Sequence, residues 1–511
     1  MSSAAFPHET ASGATAIGRS RPSILERLGR DASLVVILLV LEAALLVLVP
    51  NNFNVDTWLA LVSGRHVWQS GIPHFVTLTA IPQGRQWVDQ QWLSQLASYA
   101  AYRVGGLGLL GLIGATAFAG GIGAAVVAAR RLGATTLSVL LLLPLAILLA
   151  YPGLEIRTQD FAVPLFVAVA YLVAVDARRP SRRVFWCLPL LVLWANLHGS
   201  ATLGALLVGL HAVTLAWARR RELTGSVRAL RRPVALLAGA GVSLMITPYG
   251  TGIVGYYRST MLDSSLRHVI TEWGPITSMP VVAGALAAVV VIALWAVWRH
   301  RARSTPWERL ALLLLAAGSA SVVRNAVFFG LFALIVVPFW IGHDAASRPL
   351  TPRRVALANG GLVCLGLVAV GIAAAVTMFG PSSTIEFRYQ RAGVLTAVQH
   401  AAATDPSLRV MGDVRFDDWL LWRDPVLQGR MAYDGSYELL TPGQLDRLQN
   451  LFSRYGSNWK QFARGYRVVV LDRRYEPGTV RGFLAEPGRR ILYDDGARIV
   501  LLRSATQAES R

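Results

Sequence analysis

Eleven apolar runs constrain this chain more than any other feature. They lie at roughly 33–50, 105–129, 134–150, 161–176, 184–197, 199–218, 233–248, 281–298, 308–322, 325–342 and 355–379. A helix needs about 20 mostly apolar residues to cross the hydrocarbon core of a bilayer. Only 15% of the residues are charged, against roughly 25% in soluble domains, and the mean hydropathy is +0.47. The expected fold class is therefore a polytopic α-helical membrane protein of about eleven transmembrane helices. Residues 1–32, rich in Ser, Ala and Arg, read as a disordered cytoplasmic N-terminus. The run ending at Pro50 has no small-residue cleavage site after it and reads as a retained first helix.

The basic residues fix an expected orientation. Arg130 and Arg131, Arg178 to Arg183, Arg219 to Arg232, Arg299 to Arg309, and Arg348 to Arg354 cluster in alternate connections. The intervening connections hold only scattered arginines: Arg65, Arg85, Arg103, Arg157, Arg258, Arg267 and Arg324. Arginine marks the cytoplasmic side of such helices, so the N-terminus is expected inside. An odd helix count then puts residues 380–511 outside. That tail alternates strand-like runs (408–411, 467–471 and 499–502) with a helix-compatible stretch at 442–455, the pattern of a small extracytoplasmic α/β domain. The net charge of +20 is spread over these short clusters, which suit membrane lipid headgroups and give no reason to expect a nucleic-acid partner. Cys187 and Cys364 both fall in apolar runs, where no disulfide or zinc spacing is available.

The external side collects the unusual polar residues, above all the first external loop, 51–104, with Asp56, Asp89, Trp58, Trp87 and Trp92. Further connections hold Glu155, Arg157 and Asp160, then Asn196 and His198, then Tyr249, Asp263, His268, Glu272 and Trp273, and finally Arg324 with Asn325. Ionisable groups close to hydrocarbon are costly and are functional candidates for that reason. Duller readings exist: the tryptophans as an interface belt, His198 as the lining of a tight helical turn, Arg157 as a headgroup anchor. Asp56 stands just past a helix end, where no dipole favours an acid, and so reads as functional. No Walker A loop, nucleophile elbow or H-E-x-x-H motif is present, and the helices do not repeat as two halves.

In order and spacing, these segments resemble the GT-C superfamily of membrane glycosyltransferases. They resemble still more a group of bacterial polytopic membrane proteins, glycosyltransferase-like, with a C-terminal extracytoplasmic domain. The matching elements are D-x-W at Asp56 to Trp58 followed by G-x-P at Gly71 to Pro73, W-V-D-x-x-W-L-S-Q at Trp87 to Gln95, W-A-N-L-H-G at Trp194 to Gly199, P-Y-G at Pro248 to Gly250, and E-W at Glu272 and Trp273. In the tail, Asp413 to Trp422 and Tyr433 to Tyr437 match. Gln90 and Ser436 depart from the pattern, where it has His and Arg. The resemblance implies a polyprenyl-phosphate sugar donor and a catalytic aspartate in the first external loop. It places Asp56 as general base with Asp89 assisting, and Arg157, Arg324 and His198 at the donor phosphate. Trp58, Trp87, Trp92, Glu272, Trp273 and Asp434 fall to sugar or acceptor, and Asp413 and Trp419 join Asp434 on a tail surface facing the membrane. No cofactor or protein metal site is expected, with a divalent cation left open. The acceptor would be a cell-envelope glycan, lipid or protein outside the bacterial cytoplasmic membrane. The alternative is a non-enzymatic transporter of lipid-linked precursors or an envelope-assembly scaffold.

Overall fold

The structure, a computed structural model, describes residues 24–220, 230–262, 271–342, 353–389 and 392–509. Residues 1–23, Arg221, Arg228, Asp263, Arg267, His268 and Arg348 lie outside the described residues. The first helix, α1 (Ile24–Asn52), begins before its apolar run. The part of the expected disordered tail from residue 24 to 32 is therefore helical. Once a helix has nucleated, each added residue gains a hydrogen bond at little entropic cost, and ILERLGRD contains one poor helix former, Gly29.

Each of the eleven apolar runs is helical. After α1 come α2 (Val55–Ser70), α3 (Trp92–Leu132), α4 (Thr136–Ala150), α5 (Ala162–Arg178), α6 (Cys187–Leu197) and α7 (Ala201–Ala218). Then follow α8 (Arg231–Met245), α9 (Gly252–Leu262), α10 (Pro280–Arg299), α11 (Pro306–Ser321), α12 (Ala326–Ile341) and α13 (Arg353–Phe379). Among the described residues eight helices are long and apolar enough to cross a membrane. The runs under α6, α8 and α11 give helices of 11, 15 and 16 residues, shorter than a full span. At the centre, α12 is buried along its length apart from Phe339 and Ile341. It packs against α3, α4, α5, α10 and α11, so protein rather than lipid surrounds it. In α3 the backbone breaks at Gly105 and at Gly106, whose φ of +64° suits glycine.

The first external loop is a folded structure. Helix α2 begins two residues after α1 ends, capped by Asn54, whose side chain accepts from Thr57 N–H while the Thr57 hydroxyl returns a bond to the Asn54 backbone. It is buried over most of its length because α3 lies on one side and the tail on the other. The contact with α3 is close at Gly64, where a Cβ would stand 2.1 Å from the Gln95 carbonyl oxygen.

The tail contains α14 (Ala392–Thr404), β1 (Val410–Gly412), α15 (Val414–Arg423), α16 (Pro442–Ser453), β2 (Val468–Asp472), α17 (Pro477–Leu484), β3 (Arg490–Asp494) and β4 (Arg498–Leu502). Its sheet has the order β1-β2-β4-β3, with β1 and β2 parallel and the other pairs antiparallel. Strand β3, with no apolar run of its own, is the addition to the strands foreseen from sequence. Side chains alternate across β2 with the period of two that a strand imposes. Val468 and Val470 join the core that continues into the helical bundle, and Val469 and Leu471 join a second core under α16 and α17.

Two arginines and three backbone hydrogen bonds tie the tail to the first loop. Arg65 of α2 donates to the carbonyls of Trp422 (2.9 Å) and Leu421 (2.7 Å) at the end of α15, and its guanidinium lies 4.9 Å from the Trp422 ring centroid. A cation at a helix C-terminus meets both the free carbonyls and the negative end of the dipole. Arg85 donates to Leu439 O. Ala80 and Ile81 N–H donate to Met431 and Ala432 carbonyls, and Gly429 N–H donates to Leu78 O. Arg65→Ala is expected to loosen the tail: charge-assisted bonds of this kind contribute about 2 kcal/mol, so amide exchange in α15 should rise by roughly tenfold or more. Arg65→Lys should restore only part of the protection, because an ammonium lacks the planar fork. Unchanged exchange in Arg65→Ala would refute the clamp.

Candidate active site

Beneath the docked tail lies a cavity of about 700 Å³. Its walls come from the first turn of α2, the turn before α3, the α4–α5 connection, the start of α7, helix α9, residues 272–273, the start of α12, and the tail segment around Gly435 to Glu438.

Asp56 opens onto this cavity from the first turn of α2. The expectation that no helix dipole favours this acid is wrong. The turn after Asn52 starts a new helix, and a carboxylate in its first turn faces the positive end of the dipole. Asp56 Oδ2 stands 3.4 Å from Arg157 Nη1. The same Nη1 pairs with Glu272 Oε2 at 2.7 Å and Glu155 Oε2 at 3.5 Å, while Nη2 donates to Pro152 O at 3.0 Å. Arg157 is 4% exposed. Burial alone would weaken its hold on a proton, but the three acids more than reverse this, and its pKa lies above the ordinary guanidinium value. Around it, burial pushes Glu155 up to about 7, with Asp56 and Glu272 adding to the rise and Arg157 opposing it.

Arg324 is placed differently. Its Nε donates to Gln159 Oε1 (2.9 Å), and among the described residues no carboxylate pairs with it. Its Nη2 lies 3.4 Å from His198 Nε2. His198 Nδ1 accepts from Ser200 N–H (3.1 Å) and sits 2.7 Å from the Ser200 hydroxyl. Burial, then the charges of Arg324 and Arg157, push the His198 pKa well below its usual value. The neutral imidazole is favoured here, so His198 is better suited to a hydrogen bond than to an ion pair with a phosphate.

Of the other sequence-predicted residues, Glu272 and Trp273 line the cavity. The first-loop tryptophans do not. Trp58 is buried between Phe53 and Tyr389, and Trp87 lies in the core. Trp92 is half-buried, its Nε1–H donating to Asn196 Oδ1 (3.0 Å). Asp89, 1% exposed, stands behind the wall, where its Oδ1 accepts from Gln91 N–H (3.2 Å) and Gln95 Nε2 (3.1 Å) and so supports two lining glutamines. Asp434 is buried beneath the lining residues Gly435, Tyr437 and Glu438 and accepts from Ser436 N–H (2.9 Å). Asp413 caps α15 and pairs with Arg415, and Trp419 stacks on Tyr389 at 6.0 Å, both away from the cavity. Gln159, Tyr256, Tyr257 and Glu438 also line the cavity without having been singled out from sequence, and Glu155, noted there among the unusual polar residues but given no role, joins them. Among the described residues no group of three or more His, Cys, Asp or Glu is arranged to hold a metal ion.

This architecture has solved counterparts. ArnT from Cupriavidus metallidurans, in the crystal structure bound to undecaprenyl phosphate, superposes with a TM-score of 0.51 at 16% identity, covering 93% of this chain and 99% of that one. Its apo structure gives 0.50 at 16% identity, with 94% and 100% covered. The fold is GT-C-like. The oligosaccharyltransferase AglB from Archaeoglobus fulgidus, in complex with an inhibitory peptide and a dolichol-phosphate, gives 0.44 at 12% identity over 88% of this chain and 70% of that one. No family model and no curated protein matches the sequence. At this identity the likeness is one of fold, so the chemistry of this GT-C-like chain has to be argued from its own side chains.

Asp89 supplies a pH test of the wall. Burial pushes its carboxyl up to about 7, and its Oδ2 has no hydrogen-bond partner among the described residues. A carboxyl raised in the folded state favours folding only while protonated. Its contribution is present below about 4, its unfolded value, and is lost as pH rises to about 7. Asp89→Asn should therefore match the wild-type Tm at pH 4 and exceed it increasingly up to pH 7, with a plateau above. A Tm difference independent of pH would sink this account.

Proposed function

We propose that this chain is a glycosyltransferase that moves a sugar from a polyprenyl-phosphate donor to a cell-envelope acceptor outside the bacterial cytoplasmic membrane. The observation that carries the reading is the convergence on one cavity, at the end of a bundle of membrane-capable helices, of Asp56 and Arg324, a guanidinium with no carboxylate partner among the described residues. The GT-C-like fold, and a solved example of it bound to undecaprenyl phosphate, support a lipid-linked donor. The alternating arginine clusters support a cavity and tail on the extracytoplasmic side. The buried course of α12 behind the cavity favours a transferase over a carrier, which would need a path through the bundle.

In this reading the acceptor hydroxyl attacks the anomeric carbon while its proton passes to the Asp56 carboxylate. The bond from that carbon to the phosphate oxygen breaks, its electron pair stays with the polyprenyl phosphate, and Arg324 stabilises the added charge. Arg157, already committed to three carboxylates, acts as a positioning residue that holds Asp56 directed into the cavity. Glu272 and Trp273 present a hydrogen-bonding group and an aromatic face to the sugar.

The decisive assay is polyprenyl-phosphate release from a panel of polyprenyl-phosphate sugars by purified protein in lipid. Asp56→Asn should abolish release while donor binding survives; equal release by both proteins would remove Asp56 from the chemistry. Arg324→Ala should lose on the order of 10²-fold in kcat, the usual effect of deleting a group that meets developing charge. Loss of that size in Arg157→Lys with donor KM unchanged would fit its positioning role, whereas a rise in donor KM alone would return Arg157 to the phosphate.

A further inference from the structure

The tail lends the cavity a carboxylate of its own. Glu438 lines it beside Tyr437, on a segment held rigidly from below. Gly435 N–H donates to Asp418 Oδ2 (3.0 Å), Ser436 N–H to Asp434 Oδ1 (2.9 Å) and Leu439 N–H to the Ser436 carbonyl (3.0 Å), while Arg85 grips the Leu439 carbonyl. This segment rests on the helix that carries Asp56. A Cβ at Gly435 would stand 3.1 Å from Val55 Cγ1 and 3.4 Å from Leu59 Cδ2.

Glu438 differs from the other acids of the cavity. Asp56, Glu155 and Glu272 share Arg157, but among the described residues no side chain donates a hydrogen bond to Glu438 or forms an ion pair with it. A half-buried carboxylate without a donor is poorly solvated and gains from any donor that arrives. The site is also polarised. Arg324 comes from the helical bundle, at the start of the membrane-capable segment Val323–Ile341, and Glu438 comes from the tail. A phosphate on Arg324 leaves Glu438 to the second substrate.

We propose that Glu438 is the acceptor-side carboxylate of the site, accepting a hydrogen bond from a hydroxyl or other donor group of the acceptor. The assignment rests on the transferase reading. Burial, with a contribution from Asp434, pushes its carboxyl up to about 7, which suits a group that exchanges water for a substrate donor near neutral pH.

The test uses the full chain in lipid nanodiscs, undecaprenyl-phosphate sugars as donors, and octyl glucoside as a hydroxyl-bearing acceptor probe. Glu438→Gln should raise KM for octyl glucoside about tenfold, the usual effect of losing a charge-assisted hydrogen bond. Donor KM and acceptor-free hydrolysis should stay unchanged, and Glu438→Asp should recover part of the loss. An unaltered acceptor KM, or an equal fall in hydrolysis and transfer, would overturn the assignment. A second readout needs no turnover: octyl glucoside should slow carbodiimide labelling of Glu438, read by peptide mass spectrometry, and undecaprenyl phosphate should not. Labelling indifferent to octyl glucoside overturns the proposal. Protection in a wild-type protein that cleaves no donor would instead reject the transferase reading and keep Glu438 as a ligand-binding carboxylate.

Discussion

A buried guanidinium cannot give up its proton and cannot stay unpaired. That constraint, applied to Arg157, organises the end of the bundle that holds the cavity. The three carboxylates that satisfy it come from the first turn of α2, from Glu155 two residues before it, and from the short turn Thr271–Trp273. Removing Arg157 would leave the three acids facing one another with no counter-charge between them. The arrangement therefore pins three distant segments to one point. It also collects acids that would repel one another without the central charge, and leaves Arg324 with no carboxylate partner among the described residues.

Helix α2 carries this order outward. Its first turn holds Asp56 in the acid web, and Arg65, about 13 Å further along the same rigid rod, grips the last carbonyls of α15. Because one helix takes part in both contacts, the tail cannot shift without disturbing the geometry around Asp56. The first loop and the tail also share backbone hydrogen bonds at Ala80, Ile81 and Gly429, so the roof of the cavity is built jointly by segments some 350 residues apart. Charged and hydrogen-bonding side chains collect on its walls because those walls include helix ends and turns.

The sequence by itself determined the membrane class, because the length and spacing of apolar runs translate directly into helices. It also singled out the polar external segments, since charge beside hydrocarbon is costly wherever the chain folds. Asp56, Arg157, His198, Glu272, Trp273 and Arg324 all lie at the cavity or against it. Only the tertiary structure decided their states. Which arginine is neutralised and which is left for a ligand depends on carboxylates at positions 56, 155 and 272 meeting at one guanidinium, and no local pattern reports such a meeting. Trp58 and Trp87, flanked by polar residues in a nominal loop, read as surface aromatics, yet that loop is folded beneath a tail and they are core. Glu438 was silent for the same reason: a lone acid in the tail acquires chemical meaning only when docking turns it toward Asp56 and Arg324.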